Sequence, residues 1–175
     1  MPATTAHMPA RRLALGAAGA LIAGTATLFT APTASAAPVE CPAVPGTAQM
    51  SDSATSSCTA SADEMSAAAA YGFDGDAAAV AEMFGLSLAI AADGGTAISA
   101  ASNFSGPAAI AVGPGATVET WGINPGLSIG IAGPGATVTV SGTSAPTCAG
   151  GPGFAGDFQT GQGCFSDGAM TVPLG

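Results

Sequence analysis

Acidic side chains are the residues of this chain best suited to chemistry. Asp74 and Asp76 flank a glycine on one predicted turn, and Asp93 occupies a similar turn about one repeat later. If those turns stack in adjacent coils, three carboxylates lie close enough to bind a hard cation such as Ca²⁺. Plain turn formation by Asp explains the same residues. Calcium at Asp74, Asp76 and Asp93 is therefore the single cofactor hypothesis that the sequence offers, and otherwise we predict none.

Cationic side chains are confined to the first residues of the chain. Arg11 and Arg12 are its only Lys or Arg, and His7 is its only histidine, against eleven Asp and Glu. From residue 37 onward no Lys, Arg or His remains, and removing two positive charges from a formal −9 leaves −11. Nucleic-acid binding needs cations against phosphates, and a Ser-His-Asp or Cys-His site needs its base. We therefore predict no nucleic-acid partner and no enzymatic activity.

Three functional hypotheses survive this composition. The leading one is a non-enzymatic extracellular or cell-envelope protein, kept in solution by its acidic charge, whose protein or envelope partner the sequence does not specify. The second is a binding module for calcium, a glycan or a protein. Trp121 and Tyr71 are the large aromatic residues with a polar edge, and a glycan site would use Trp121 with Glu119, since these two share one face of a strand. Packing of Trp121 at the sheet surface explains the same residue. The third is a carboxylate-based hydrolase, but no pair of acids stands out on strands that flank a cleft.

The first 36 residues have the pattern of an export signal. Arg11 and Arg12 precede an apolar stretch at 13–29, and Ala34-Ser35-Ala36 forms a small-x-small cleavage site. We predict a secreted chain that begins at Ala37 and has no membrane span after signal removal. The general secretory and twin-arginine routes both remain open.

Four cysteines follow the predicted signal: Cys41, Cys58, Cys148 and Cys164. An even number in an exported chain indicates two disulfides. Of the three pairings, we predict Cys41–Cys58 and Cys148–Cys164, because each closes a short loop worth roughly 3 kcal/mol on the chain-entropy model. The first pair falls in an N-terminal arm at 37–60, and the second closes a C-terminal cap at 147–175.

A repeat predicts the architecture between them. The hexapeptide Gly-Pro-Gly-Ala-Thr-Val occurs at 113–118 and again at 133–138, and the same spacing runs back through glycines to residue 75. Each unit contains two short apolar segments separated by Gly-rich turns. Residues 61–146 are therefore predicted as a mainly β fold, a small Gly/Ala/Ser-rich β-solenoid of about four units of ~20 residues. The units run 65–85, 86–106, 107–126 and 127–146, and the aligned glycines are Gly75, Gly95, Gly115 and Gly135.

The same register predicts which side chains form the core. Ile98, Val118 and Val138 each lie three residues beyond an aligned glycine, so we expect them to point together into a narrow interior filled by Ala, Ser and Gly. The alternative fold is a β-meander of hairpins with an N-terminal helix. Ser61 with Glu64 forms a capping-box pattern before an Ala-rich run. We therefore expect a short helix within 61–84.

These features together resemble a family of small secreted proteins from mycolic-acid-bearing actinobacteria, known only as a domain of unknown function. The matching segments are "ASAAPVECPAVPG", Cys58 after a Ser/Thr-rich gap, the Ala/Gly/Ser repeats and "GQGCFSDG" near the end. The resemblance covers most of the chain beyond the predicted signal. It implies an extracellular location and brings no activity with it.

Overall fold

The computed structural model describes residues 37–175 and contains only strands there, so the predicted signal peptide at 1–36 lies outside the described residues. Fifteen short strands follow one another, joined by tight turns. They are β1 (Val39–Ala43), β2 (Ala48–Asp52), β3 (Ser57–Ala62), β4 (Ala67–Phe73), β5 (Asp76–Ala81), β6 (Leu86–Ala92), β7 (Thr96–Ala101), β8 (Ser105–Val112), β9 (Thr117–Gly122), β10 (Gly126–Ala132), β11 (Ala136–Val140), β12 (Thr147–Gly150), β13 (Pro152–Asp157), β14 (Gln162–Asp167) and β15 (Thr171–Leu174).

From β3 to β11, successive strands alternate between two sheets, which is the construction of a β-solenoid. The first sheet has the order β1-β4-β6-β8-β10-β13-β14-β15, and the second has the order β12-β11-β9-β7-β5-β3-β2. The central strands of both sheets pair in parallel with the equivalent strand one coil away. Parallel pairing between strands that are not adjacent in the chain excludes a meander of hairpins. The predicted solenoid of about four coils, two strands to a coil, is confirmed.

The coils differ slightly in length, and this changes the predicted core. Asp76 pairs with Thr96, but Thr96 pairs with Thr117, a step of one residue more. The added residue lies in the turn at 113–116, which has four residues where the turn at 93–95 has three. Gly75 adjoins Gly95, and Gly115 adjoins Gly135, but the four glycines do not form one ladder.

The predicted core is correspondingly part right and part wrong. Val118 and Val138 are fully buried and pair with each other. Ile98 faces outward beside Glu119, and the buried residues of its strand are Ala97, Ser99 and Ala101. The interior is made largely of alanine, with buried valines only towards its two ends. The expectation that small residues fill the interior is confirmed.

The predicted short helix within 61–84 is wrong. Residues 67–73 and 76–81 form β4 and β5, whose residues are buried alternately, as in Ala68 and Ala70. Local propensity favours a helix in an alanine run. Here, however, every second alanine fits the narrow interior, and β4 and β5 pair along their length with β6 and β7. Tertiary context therefore overrides the propensity, as it does for many short segments.

Antiparallel strands complete both ends of the solenoid. Residues 37–60, predicted as an arm, contribute β1, β2 and most of β3, and β1 pairs with β4. Residues 147–175, predicted as a cap, form β12 to β15. The predicted disulfides Cys41–Cys58 and Cys148–Cys164 are both present, each with Cα atoms 5.9 Å apart. They indicate an oxidising environment.

The C-terminal strands are joined to the last coils by a buried polar contact. The carboxylate of Asp157 is almost wholly buried and accepts hydrogen bonds from the backbone N–H of Gln159 at 3.0 Å and the Thr160 hydroxyl at 2.9 Å. Gln159 Oε1 in turn accepts the backbone N–H of Asn124 at 2.8 Å. This network fixes the turn after β13 against the turn between β9 and β10.

Within residues 37–175 there is also no helix of a length and hydropathy that would cross a membrane.

Candidate functional site

The three aspartates proposed for calcium are only partly brought together. Asp74 and Asp93 lie on neighbouring turns, since Phe73 and Ala92 before them are paired across β4 and β6. Asp76 lies on β5, where its carboxylate accepts the Ser57 hydroxyl at 2.6 Å. In the part of the chain that the structure describes, no group of three or more His, Cys, Asp or Glu side chains is arranged to hold a metal ion. Calcium binding at these residues stays a prediction.

The aromatic residues considered for a glycan site are separated. Trp121 and Glu119 lie on the same outer face of the second sheet, as predicted from their spacing, and Trp121 is exposed. Tyr71 lies on β4 in the first sheet, paired with Ile90. The two large aromatic side chains therefore cannot form one stacking platform.

The first sheet instead presents an unusual outer surface, built from large apolar side chains. Along β6, for example, Ser87, Ala89 and Ala91 point inward, while Leu88 and Ile90 point outward. A soluble strand normally buries its larger apolar residues and exposes its polar ones. We call this surface the apolar face. It comprises Ala67, Ala69, Tyr71, Leu86, Leu88, Ile90, Gly106, Ala108, Ile110, Leu127, Ile129, Ile131, Phe154, Phe165, Val172 and Leu174.

A continuous ridge of large side chains crosses the apolar face from strand to strand. Each residue of the ridge is the direct pairing partner of the next, from β4 across the sheet to the edge strand β15. Such cross-strand neighbours stand about 5 Å apart and pack against one another. The ridge is Tyr71, Ile90, Ile110, Ile131, Phe154, Phe165 and Val172.

Next to the ridge lies a second row of cross-strand neighbours, which we call the lower row. The face is lower there because small residues interrupt this row. Ala69, Ala108 and Gly156 alternate there with larger residues. A shallow groove of about 380 Å³ opens between Leu86 and Leu127, over the bare backbone of Gly106. A Cβ added at Gly106 would come within 2.7 Å of the Leu127 side chain, so glycine keeps this groove open.

Acidic residues lie at the margins of the apolar face. Two of the outward-facing residues of the first sheet are acidic. Glu40 lies on the edge strand β1, where it pairs with Tyr71 of β4, and Asp167 lies on β14. Backbone N–H groups of Met170 and Ala169 hydrogen-bond the Asp167 carboxylate and hold its pKa below the usual value. Asp167 therefore carries a negative charge at the margin of the apolar face, and the centre of the face carries no charge.

The outer face of the second sheet is different in character. A row of polar residues crosses its parallel strands at or next to their first residues. Ser57 pairs with Asp76, and Asp76 pairs with Thr96. The row continues through Thr117 to Thr137. The solenoid therefore has one apolar side and one mixed, more polar side. Because both sheets share the same alanine interior, this asymmetry does not arise from packing within the chain.

The ridge is not among the sites predicted from the sequence, because alternating apolar residues are typical of a strand that buries its apolar side. The usable signal is size: in "GLSLAIAA" and "GLSIGIA" every large residue alternates with Ser, Ala or Gly. When small residues fill a narrow interior, the large ones must lie outside.

The chain belongs to a family of unknown function, DUF6764, whose family model matches residues 5–167. Comparison with curated proteins finds no match, and comparison with solved structures finds none either.

Proposed function

We propose that the protein is a secreted, non-enzymatic component of the extracellular space or cell envelope that acts by binding through its apolar face. The single observation that carries this proposal is the inversion of side-chain size in the first sheet. Alanine fills the interior, and leucine, isoleucine and phenylalanine lie on the outer surface.

The extent of the face supports a binding role. The apolar face spans seven strands, β4 to β15 of the first sheet. Seven strands spaced by about 4.8 Å, with about six residues of ~3.3 Å each, cover roughly 650 Å². The largest apolar patch of an ordinary monomer is about 300–600 Å², and larger ones mark interaction sites. Leu86 and Leu127 are each 64% exposed, so their side chains are available to a partner.

The remaining observations support the proposed extracellular location and the proposal that the protein is not an enzyme. Two disulfides fit an oxidising, extracellular setting, in agreement with the export signal predicted at 1–36. Residues 37–175 contain no Lys, Arg or His to serve as a base or to bind an oxyanion. A binding surface needs neither.

Covalent footprinting of the protein in its native setting tests the proposal. Cells that produce the protein are treated with a photoactivated carbene reagent, and labelling is read by peptide mass spectrometry. We expect peptides with Leu86, Ile90 and Leu127 to be labelled far less than their exposure implies, and peptides of β5 and β7 to be labelled normally. Full labelling of the apolar face in this setting would show that nothing covers it.

A matched pair of variants locates the effect. Ile110→Asn places a polar group at the centre of the ridge, and Ile98→Asn makes the same change on the outer face of the other sheet. Both isoleucines are half-buried residues of parallel strands. Ile110→Asn is expected to restore labelling at Leu86 and Leu127, and Ile98→Asn to leave the protection unchanged.

A further inference from the structure

We propose that the partner covering the apolar face is a second copy of this chain, so that two solenoids pack face to face as a closed dimer. This inference rests on the proposed function and names the occupant of the same surface. Four properties of the face support it: its area, the position of its charges, its relief and the closed ends of the sheet.

The area matches what a stable dimer needs. The face covers roughly 650 Å² before the protrusion of its side chains is counted, and a typical specific interface buries about 800 Å² on each partner. Homodimer interfaces are also more apolar than the rest of a protein's surface. A face with leucine, isoleucine and phenylalanine along its length has that composition.

The charges argue for a protein copy over a lipid surface. With Glu40 and Asp167 at its margins, the face can be covered without burying an unpaired carboxylate. Lipid headgroups are usually engaged by Lys and Arg, which residues 37–175 lack. Trp, which anchors proteins at a membrane interface, is here on the opposite sheet as Trp121.

The relief of the face is self-complementary at every second strand, where Ala69, Ala108 and Gly156 lie in the lower row. The two copies can be related by a two-fold axis that lies in the plane of the interface. When this axis runs parallel to the ridge, midway between the ridge and the lower row beside it, the ridge of each copy lies over the lower row of the other copy. Ile110 then lies over Ala108 of the other copy, because the two residues are two positions apart on β8. Two sheets packed in this way form a sandwich, the usual means of burying apolar sheet faces.

The ends of the first sheet favour a closed pair over a growing fibre. The edge strand β15 contains Pro173, and the edge strand β1 contains Pro42 and Glu40. Proline and charge on edge strands block the addition of further strands. A contact through the face is shared equally by both copies and is used up once the dimer forms.

Light scattering during size-exclusion chromatography of the secreted protein tests the inference. We expect a mass twice that of the monomer at micromolar concentration. Ile110→Asp should raise the dimer dissociation constant by about 100-fold or more, since it buries two unpaired carboxylates, whereas Ile98→Asp should leave the dimer intact. Circular dichroism and thermal unfolding of both variants confirm that each remains folded.

Salt gives an independent readout. Each copy carries a formal charge of −11 beyond residue 36, so the two copies repel, and screening should favour association. Raising the NaCl concentration from 50 to 500 mM is expected to lower the dissociation constant several-fold. Weakening of the dimer by salt would contradict an apolar interface between two acidic copies.

The outcomes separate this inference from the proposed function. A monomer at all concentrations, with the face still protected in the native footprint, would refute self-association and leave the binding role standing. A monomer with a fully labelled face would refute both. A monomer that sediments with phosphatidylcholine vesicles, and loses this with Ile110→Asp, would assign the face to lipid instead.

Discussion

Val118 of β9 lies directly opposite Ala97 of β7, and both are fully buried. The residue expected beside Val118 from the repeat, Ile98, is instead paired with Glu119 on the outer surface. One additional residue in the preceding turn moves the pairing by one position. Neighbouring residues of a strand point to opposite faces. A shift of one position therefore exchanges the residues expected to face the interior with those expected to face outward.

Replacing Val118 by Asp tests this inward orientation. A carboxylate with no partner would be buried among small apolar residues, at a cost of several kcal/mol. Against a total stability of roughly 5–15 kcal/mol, this should largely unfold the chain. Urea denaturation followed by circular dichroism measures the loss.

The control for this prediction is the adjacent residue. Glu119→Gln alters a partly exposed side chain on the outer face and should change the free energy of unfolding by less than about 0.5 kcal/mol. If Val118→Asp is equally mild, Val118 does not face the interior.

The solenoid itself could be predicted, because repeated glycines and paired apolar segments recur at a nearly fixed spacing. The exact register could not. The turn at 113–116 and the turn at 133–135 share the sequence Gly-Pro-Gly, yet the longer one places Thr117 opposite Thr96. A difference of one residue in a turn is decided by three-dimensional closure of the coil, which a period in the sequence does not specify.

The candidate site was missed for a related reason. Hydrophobic periodicity identifies a strand but not which of its faces is covered. Ile110 and Ala109 are both apolar, and only the width of the interior decides that alanine lies inside. Once sheets are held this close by Ala-to-Ala contacts, an isoleucine has no room between them.

The narrowness of the interior gives a second prediction. Ala79 is fully buried on β5, and Ala78 beside it points outward. Ala79→Leu should destabilise the fold by about 1–3 kcal/mol or more, because the sheets must separate to admit three additional carbons. Ala78→Leu adds the same atoms on the outer surface and should be nearly neutral. Equal effects in thermal unfolding would mean that the interior can expand.

A third prediction concerns the C-terminal disulfide. Replacing Cys148 and Cys164 together by Ala removes a link across 16 residues and should lower the free energy of unfolding by roughly 3 kcal/mol. The comparison is the same double replacement at Cys41 and Cys58, which span 17 residues. Peptide mapping without reduction verifies the pairing, and any peptide that joins the two ends of the chain would contradict it.

The fourth prediction is a loss of stability in acid that involves Asp63. The Ser66 side chain, followed by the backbone N–H groups of Met83 and Met65, hydrogen-bonds its carboxylate and lowers its pKa below the ordinary 3.8. The Met83 contact, at 2.6 Å, joins turns of adjacent coils. A lowered pKa in the folded state stabilises the protein above the unfolded value, and this contribution disappears as pH falls through the folded value.

Asp63→Asn isolates this contribution. The wild-type midpoint of urea unfolding should fall as pH drops below about 4, and the variant should show a shallower dependence over the same range. At pH 7 the variant should be the less stable of the two, because an amide oxygen is a weaker acceptor for the two N–H groups. Identical pH profiles of the wild type and the variant would show that Asp63 does not contribute to the loss of stability in acid.

The last prediction concerns two exposed aromatic residues at the turns, Phe84 and Phe104. Their rings stack with centroids 4.7 Å apart, and their φ angles are +64° and +62°, a region that side chains with a Cβ rarely adopt. Phe104→Ala loses the stack and keeps the strained backbone, while Phe104→Gly loses the stack but relieves about 1 kcal/mol of strain. Glycine should therefore be the more stable replacement, which is the reverse of the order in a strand, where Ala100→Gly should destabilise by about 0.5–1 kcal/mol. Thermal unfolding of the three variants measures the order, and alanine ahead of glycine at residue 104 would show that this turn does not require a positive φ.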